Sequence, residues 1–424
     1  MVDKNLFVYD LAVVAILKNE APYVKEWLDY HLLAGADHFF LYDNESPDNL
    51  KEVLQPYIDA GIVTYTFYPG QARQYEAYND ALQYKFLCRY MTWIDGDEFI
   101  FPKSKSTIAE IVDEVTGDNP TAGSLGVNWR LFGSNHHTKA DLSRGVLDRF
   151  TARDSKVNQH VKIIANPRKI KFFPNPHYAV YLDGVNAVNE TGKFFIGPFN
   201  EDKTAEKIVI NHYHTKSFEE YEQKINRGNA DGTKARTVEV FKKHDTNDEF
   251  DDGIVRYRDS RLVSLLPYGG MENFLQSKGA NFNRLFNALA KNILPTVTQN
   301  IPSQFFEDKM ETFLTCLNLS SYLKENFLDE NAAKFFEEAA LNAIYKTLHT
   351  GIKIYDMLML INEMPRILTL PYSNVITMNE LCIKIIPQIM TSYIRQNRWE
   401  DFHEMEYIFK MLQSFAVKKI NTTT

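Results

Sequence analysis

The sequence predicts an α/β protein: an open sheet of mainly parallel strands over roughly the first 265 residues, followed by an all-α region over residues 266–424. Three observations predict it. Between residues 11 and 100, short β-branched or aromatic runs alternate with longer amphipathic stretches. Past Tyr268 that alternation stops and helical apolar stripes replace it. The composition, 44% hydrophobic and 24% charged over 424 residues, supplies enough apolar material for one large domain and one smaller one.

Taken in order, Leu11 to Leu17 is the first strand-like run. Pro22 then sits at a helix start, and Val24, Trp27, Leu28 and Leu32 share one helical face up to Leu33. His38 to Tyr42 is the second run, after which Ser46 and Pro47 supply an N-cap and first turn for a helix towards Tyr57. Ile62 to Phe67 is the third run, Gln74 to Arg89 an amphipathic helix, and Tyr90 to Ile94 the fourth run. Strands separated by helices pair in parallel through right-handed crossovers, and such sheets hold ligands at the carboxyl ends of their strands. Thr107-Ile-Ala-Glu110 and Ser217-Phe-Glu-Glu220 each have the form of a capping box opening a helix. Residues 122–214 are richer in short strands and turns, and the charged stretch from Thr233 to Asp252 reads as a mobile loop. Beyond it, Leu285 to Leu289, Phe313 to Leu323, Ala332 to Leu348, Ile352 to Ile361 and Leu381 to Met390 carry the apolar stripes.

Several function classes are excluded. A net charge of −8 with no local basic patch argues against a nucleic-acid partner. The three cysteines, Cys88, Cys316 and Cys382, have no metal-ligand spacing and suggest a reducing compartment. The apolar run ending at Leu17 is far short of the roughly 20 residues a membrane span needs, so the expected location is cytoplasmic, at most peripheral to a membrane. Glycine-rich phosphate loops are missing after the first strand, where Lys18-Asn19-Glu20 stands.

The chemistry concentrates in Trp93-Ile94-Asp95-Gly96-Asp97-Glu98-Phe99. Two carboxylates one residue apart, after an apolar strand, offer hard oxygen ligands suited to Mg²⁺ or Mn²⁺ bound with phosphate oxygens. Gly96 between them lets the backbone approach the ligand closely. His212 and His214, at i and i+2 of an expected strand, share a face from which they can reach one ion; His212 is favoured, with His177 as competitor. A phosphatase of the haloacid dehalogenase type also uses Asp-x-Asp, but on its first strand and with Thr or Val where Phe99 stands.

Lys18-Asn19-Glu20, Glu26-Trp27 with His31, Tyr42-Asp43-Asn44-x-Ser46-x-Asp48, Gln74-x-x-Ala77-Tyr78-x-Asp80 and Ile94-Asp95-x-Asp97-Glu98-Phe99 together resemble the family 92 glycosyltransferases, the domain-of-unknown-function 23 group, and related family-2-like enzymes. His160-x-Lys162, Asn175-Pro176-His177, His212-Tyr213 and the run from Lys216 to Gly228 continue the match, which covers residues 10 to about 230. The resemblance implies a GT-A fold, with a donor half over about residues 1–120 and an acceptor half over about 121–265. It places Lys18, Asn19, Glu20, Asp43, Asn44, Gln74, Tyr78 and Asp95 with a nucleotide-sugar donor, and it sets Asp95, Asp97, His212 or His177 around Mn²⁺ or Mg²⁺. Lys216, Lys224 and Arg227 are the cations for the diphosphate; Trp129, His160 and Lys162 face the acceptor; Asp154 and Glu190 are the foremost candidates for a catalytic base.

The activity implied is metal-dependent, inverting transfer from a UDP-sugar or similar donor to a glycan or lipid-linked acceptor, in the making of a surface polysaccharide. A second reading makes the helical tail an assembly or docking element, forming a homo-oligomer or a peripheral membrane contact, with the transferase domain inactive or secondary. Intact Asp95 and Asp97 count against it.

Overall fold

In the computed structural model the described residues are 7–278, apart from 86, 118 and 228–235, then 386–395, 397, 399, 403 and 406. The chain divides into two compact units, Met1–Asn287 and Ala288–Thr424. In the second, Ile386–Arg395 is helical, overlapping the last expected stripe; the other stripes lie outside the described residues. Among the described residues no helix is long and apolar enough to cross a membrane.

The first unit is built on a ten-stranded sheet. Strand β1 (Tyr9–Leu17) lies parallel between β2 (His38–Asp43) and β4 (Cys88–Trp93), and β3 (Val63–Phe67) pairs parallel with β2. Helices α1 (Ala21–Leu33), α2 (Leu50–Asp59) and α3 (Gln74–Asp80) make the crossovers, as the alternating pattern predicts. Every residue of β2 and β4 is buried, as expected of strands covered on both faces.

Three local expectations are corrected. Ser46 does not cap a helix: its N–H bonds Asp43 Oδ1 at 2.9 Å, and α2 starts only at Leu50, where Asp48 Oδ1 accepts the Leu50 N–H at 3.2 Å. The helix expected over Gln74 to Arg89 stops at Asp80, giving way to a 3-10 turn at Ala81–Tyr84 before β4 begins. The segment read as a loop contains helix α7 (Val238–His244), capped by the Thr237 side chain.

After β5 (Glu98–Pro102) and α4 (Ile108–Thr116), whose Thr107–Glu110 capping box is formed as expected, the sheet becomes mixed. Strand β6 (Ala122–Leu131) is followed by the short α5 (Val146–Arg149), β7 (Ala152–Arg153) and β8 (Asn158–Ala165), and β8 inserts antiparallel between β4 and β6. The hairpin of β9 (Ile170–Asn175) and β10 (Tyr178–Tyr181) stands apart from it. Strands β11 (Asn186–Val188) and β12 (Phe194–Phe195) finish one edge. Strand β13 (Ile208–His212) runs parallel to the end of β6 and antiparallel to β5. Helix α6 (Phe218–Arg227) follows, opened by the predicted Ser217–Glu220 box, and β14 (Glu249–Phe250) pairs with β7. Helix α8 (Gly253–Leu262) and residues 271–278 belong to the same body, because Leu275 is part of its core and Lys278 Nζ donates to Asp37 Oδ1 at 2.6 Å. The expected division at 265/266 therefore falls inside the first unit.

Parallelism fixes where the chemistry gathers. The carboxyl ends of β1, β2, β4, β6 and β13 and the amino end of β8 all lie at one end of the sheet. Helix α1 clamps this end: Trp27 Nε1 donates to Glu98 O at 2.8 Å and Tyr30 OH to Ile100 O at 2.9 Å.

Candidate active site

The turn after β4 carries Asp95, Gly96 and Asp97. Gly96 is required by packing: a Cβ there would lie 2.9 Å from Leu17 Cδ2 and 3.4 Å from Glu20 Cγ. The close approach at this glycine is thus to the end of β1 and to Glu20, where the sequence pointed to the ligand.

The two carboxylates point into different surroundings. Asp95 Oδ1 accepts from Gln74 Nε2 at 2.8 Å and from Tyr78 OH at 3.4 Å, while Lys162 Nζ donates to Oδ2 at 3.2 Å. Lys162 is buried and lies 3.7 Å from Glu98 Oε2 as well. Burial would discharge it, but Asp95 and Glu98 hold its ammonium above the ordinary lysine range. Burial opposes ionisation of Asp95 too, and Lys162, joined by His212 and His177, overcomes it, so the Asp95 carboxyl lies below its usual value.

Asp97 faces the other way. Lys224 Nζ, from α6, donates to its Oδ2 at 2.5 Å, and His212 Nε2 lies 3.4 Å from its Oδ1. Burial acts against the charged form, yet Lys224 and then His212 hold Asp97 well below the carboxylate range. Burial, opposed by Asp97, pulls Lys224 down to about 8. His214 sits just past β13, and one donor atom each of Asp97, His212 and His214 fall within 4.8 Å of one another. Burial, then Lys224, keeps His214 well below the usual histidine range, so its ring is neutral at pH 7. Glu98 is fully buried and burial drives its carboxyl well up.

The remaining expected residues fall into three places. With the cluster, Lys216 is buried, its Nζ 3.5 Å from Glu20 Oε2 and 3.4 Å from the centre of the Tyr23 ring. Trp129 stacks on His160, meets His177 edge-on, and lies 4.4 Å from the His212 ring. At the ends of β1 and β2, the Asn19 N–H donates to Ser46 Oγ at 3.2 Å and Lys18 beside it is half-buried. Asp43 Oδ2 accepts from Tyr65 OH at 2.6 Å, and Asn44 Nδ2 donates to Tyr68 O and Gly70 O. Asp154 is half-buried on the same end of the sheet, its N–H bonded to Leu131 O, opposite His212 in register. Arg227 ends α6, and its side chain is outside the described part.

Four assignments are not supported by placement. Lys162, expected to face the acceptor, is sealed against Asp95 and Glu98 at 3.2 and 3.7 Å. Asp95, expected among the metal ligands, lies outside the group of Asp97, His212 and His214. Glu190 receives the N–H groups of Glu206, Lys207 and Ile208 at 2.7, 2.8 and 3.1 Å, at the end of β13 away from His212, and so anchors that strand. His177 commits Nδ1 to Val161 O at 3.0 Å, and its partners are Trp129 and His160 rather than Asp97; burial takes it down to about 3. His214 takes the place expected of it, a position signalled by the His-x-His spacing. Glu98, Tyr23 and His244, whose ring lies 5.4 Å from that of His214, enter the cluster without having been singled out.

An acid, histidine and lysine cluster at the carboxyl ends of parallel strands defines an open α/β domain with its polar centre where such folds place ligands. The chain belongs to glycosyltransferase family 92, whose sequence profile matches residues 14–257. A glycosyltransferase family 92 protein of Ricinus communis is 26% identical, the alignment covering 52% of this chain and 38% of that one. A galactan beta-1,4-galactosyltransferase of Arabidopsis thaliana, GALS3, is 27% identical over 45% of this chain and 38% of its own. The chain thus spans less than two fifths of the length of these curated relatives. Among solved structures, S. aureus TarS 1-349 in complex with UDP-GlcNAc matches at 10% identity over 95% of this chain and 92% of that one, with a TM-score of 0.31.

Proposed function

We propose that this protein transfers a sugar from a nucleotide-diphosphate sugar, a UDP-sugar in the simplest case, to a glycan or lipid-linked acceptor with inversion, in building a surface polysaccharide. The carrying observation is the convergence of Asp97, His212 and His214 within 4.8 Å beside the buried Lys224. The donor set fits a divalent ion: His214 Nε2 is buried with no hydrogen-bond partner among the described residues, His212 Nε2 faces Asp97 Oδ1 at 3.4 Å, and Asp97 is ionised. Two imidazoles with one carboxylate suit Mn²⁺ better than Mg²⁺, which prefers oxygen alone. When bound, such an ion neutralises charge on the departing diphosphate.

The chain's own residues supply the rest. Lys224 and Lys216 set two ammonium groups on the Asp97 side, and Gln74, Tyr78 and Lys162 hold Asp95 in one orientation with part of its surface open to solvent. Trp129 and His160 line the acceptor side beside His212. Glu190 gives its carboxylate to three backbone N–H groups, whereas Asp154 accepts only the Lys156 N–H, on Oδ1, so Asp154 is the stronger of the two to take the acceptor hydroxyl's proton. Calorimetry with UDP and Mn²⁺ tests the reading: wild-type protein binds UDP only with the ion, and Asp97→Ala loses that dependence. Equal Mn²⁺-dependent UDP binding by Asp97→Ala would overturn it.

A further inference from the structure

Glu98 has no part in the chemistry above, yet it is fully buried at the centre of the cluster. Its placement is dictated by the sheet: β5 and β13 pair with Glu98 directly opposite His212, which sets both side chains on one face. The main chain of Glu98 is fixed at both polar groups, its N–H by Asp95 O at 3.1 Å and its C=O by Trp27 Nε1 at 2.8 Å. One carboxyl oxygen, Oε2, is also occupied, by the Asp95 N–H at 2.9 Å and by the Lys162 ammonium at 3.7 Å, two donors that favour the ionised carboxylate against its burial. The other oxygen, Oε1, has no hydrogen-bond partner among the described residues.

His212 shows the complementary deficit. Its Nε2 lies 3.4 Å from Asp97 Oδ1, while Nδ1 is buried and has no hydrogen-bond partner. The atom facing that nitrogen is Glu98 Oε1, 4.0 Å away. At 4.0 Å the two do not form a hydrogen bond as they stand. Each, however, is buried and unsatisfied, and a small turn of the imidazole closes the gap. The edge of Trp129 at 4.4 Å keeps the ring from turning far.

We infer that Glu98 is a positioning residue for His212: its Oε1 takes the Nδ1–H, fixing the tautomer that leaves the Nε2 lone pair directed at the space shared with Asp97 and His214. Metal-binding histidines generally hand their second ring N–H to a carboxylate or carbonyl in this way, and loss of that partner costs 10- to 100-fold in ion affinity. The inference rests on the Asp97, His212 and His214 site proposed above. It also gives the buried Lys162 a second task, since Lys162 and the Asp95 N–H hold the oxygen that leaves Oε1 turned towards His212.

The test uses full-length protein with ¹⁵N-labelled imidazole rings and two probes, Zn²⁺ for diamagnetic NMR and Mn²⁺ for calorimetry. In the wild type with Zn²⁺, His212 is expected to show a protonated Nδ1 and a metal-bound Nε2; the reverse pattern overturns the inference. Glu98→Ala is expected to bind Mn²⁺ about 10- to 100-fold more weakly, and wild-type affinity in that variant overturns it. Glu98→Gln keeps an acceptor oxygen, so it should recover most of the affinity and preserve the Nδ1–H signal; a fall to the Glu98→Ala level overturns the acceptor role. If Glu98→Ala does not fold, the Glu98→Gln and wild-type spectra decide alone. Wild-type protein that binds neither ion removes the proposed site and this inference with it, whereas binding indifferent to Glu98 removes this inference only.

Discussion

Asp95 and Asp97 stand two residues apart in one turn, and their surroundings differ in kind. Asp95 keeps 36% of its side-chain surface exposed, but each of its oxygens is held by neutral donors or by the sealed Lys162. Asp97 keeps 11% and faces Lys224, which also donates to His214 O, and two histidines, His212 and His214, each with a buried ring nitrogen lacking a hydrogen-bond partner among the described residues. The first carboxylate is oriented by finished hydrogen bonds towards solvent; the second is buried among groups that still lack partners. Identical residue types at minimal spacing thus take separate work, one suited to a polar ligand arriving from solvent and the other to a cation. Gly96 enforces the separation, because the turn between them packs against Leu17 with no room for a side chain.

The largest expected effect breaks the Asp95 side. Lys162→Met leaves the partly exposed Asp95 and the buried Glu98 without their cation, and removing one partner of a buried ion pair costs about 3–5 kcal/mol. Denaturant unfolding should register that loss, and a variant as stable as the wild type would mean that Lys162 is not the counter-ion. The next breaks the Asp97 side: Asp97→Asn should weaken Mn²⁺ binding by more than about 100-fold, since even outer partners of metal ligands are worth 10- to 100-fold. Because Lys224 loses its buried acid in the same variant, added Mn²⁺ should no longer raise its melting temperature. A smaller effect sharpens which histidines belong to which side. His214→Ala should lower Mn²⁺ affinity by about 10- to 100-fold, while His177→Ala, whose ring serves Val161 O and Trp129, should leave it unchanged in calorimetry. Equal losses would return His177 to the ion.

The same contrast shows what the sequence made legible. Strands β1, β2 and β4 and helix α1 stand out because each buries a continuous run or a helical face, so burial is written into adjacent residues. Both capping boxes were readable for a similar reason: each is a contact between residues three apart. The Asp95 to Glu98 run was legible as chemistry. Its division of labour was not, because Lys162, Lys224 and His212 reach it across 67, 127 and 115 residues and nothing local encodes their approach. Glu190 was misassigned on the same account, as its three backbone partners lie 16 to 18 residues on. Helix α7 was missed because only Phe241 of its seven residues is buried, which leaves little apolar periodicity, although Thr237 was available as a cap signal.

The smallest effect is a pH dependence confined to the Asp97 side. Lys224 has a folded pKa near 8, below the lysine value of 10.5, chiefly because burial disfavours its charge. Between about pH 8 and 10.5 the unfolded chain therefore binds more protons at this residue than the folded one, and its contribution to stability rises with pH through that window. Donor binding should move oppositely. A neutral amine gives up the charge-assisted bond to a diphosphate, so Mn²⁺-dependent UDP affinity should fall by up to about tenfold between pH 7 and 9, within the range expected for a hydrogen bond to a charged group. Lys224→Met should bind more weakly at pH 7 and lose this slope, while Lys162, held above the ordinary lysine range by Asp95 and Glu98, contributes none. Calorimetry at pH 7, 8 and 9 decides it: a flat wild-type profile would show that Lys224 does not meet the donor, and a slope surviving in Lys224→Met would assign the titration to another group.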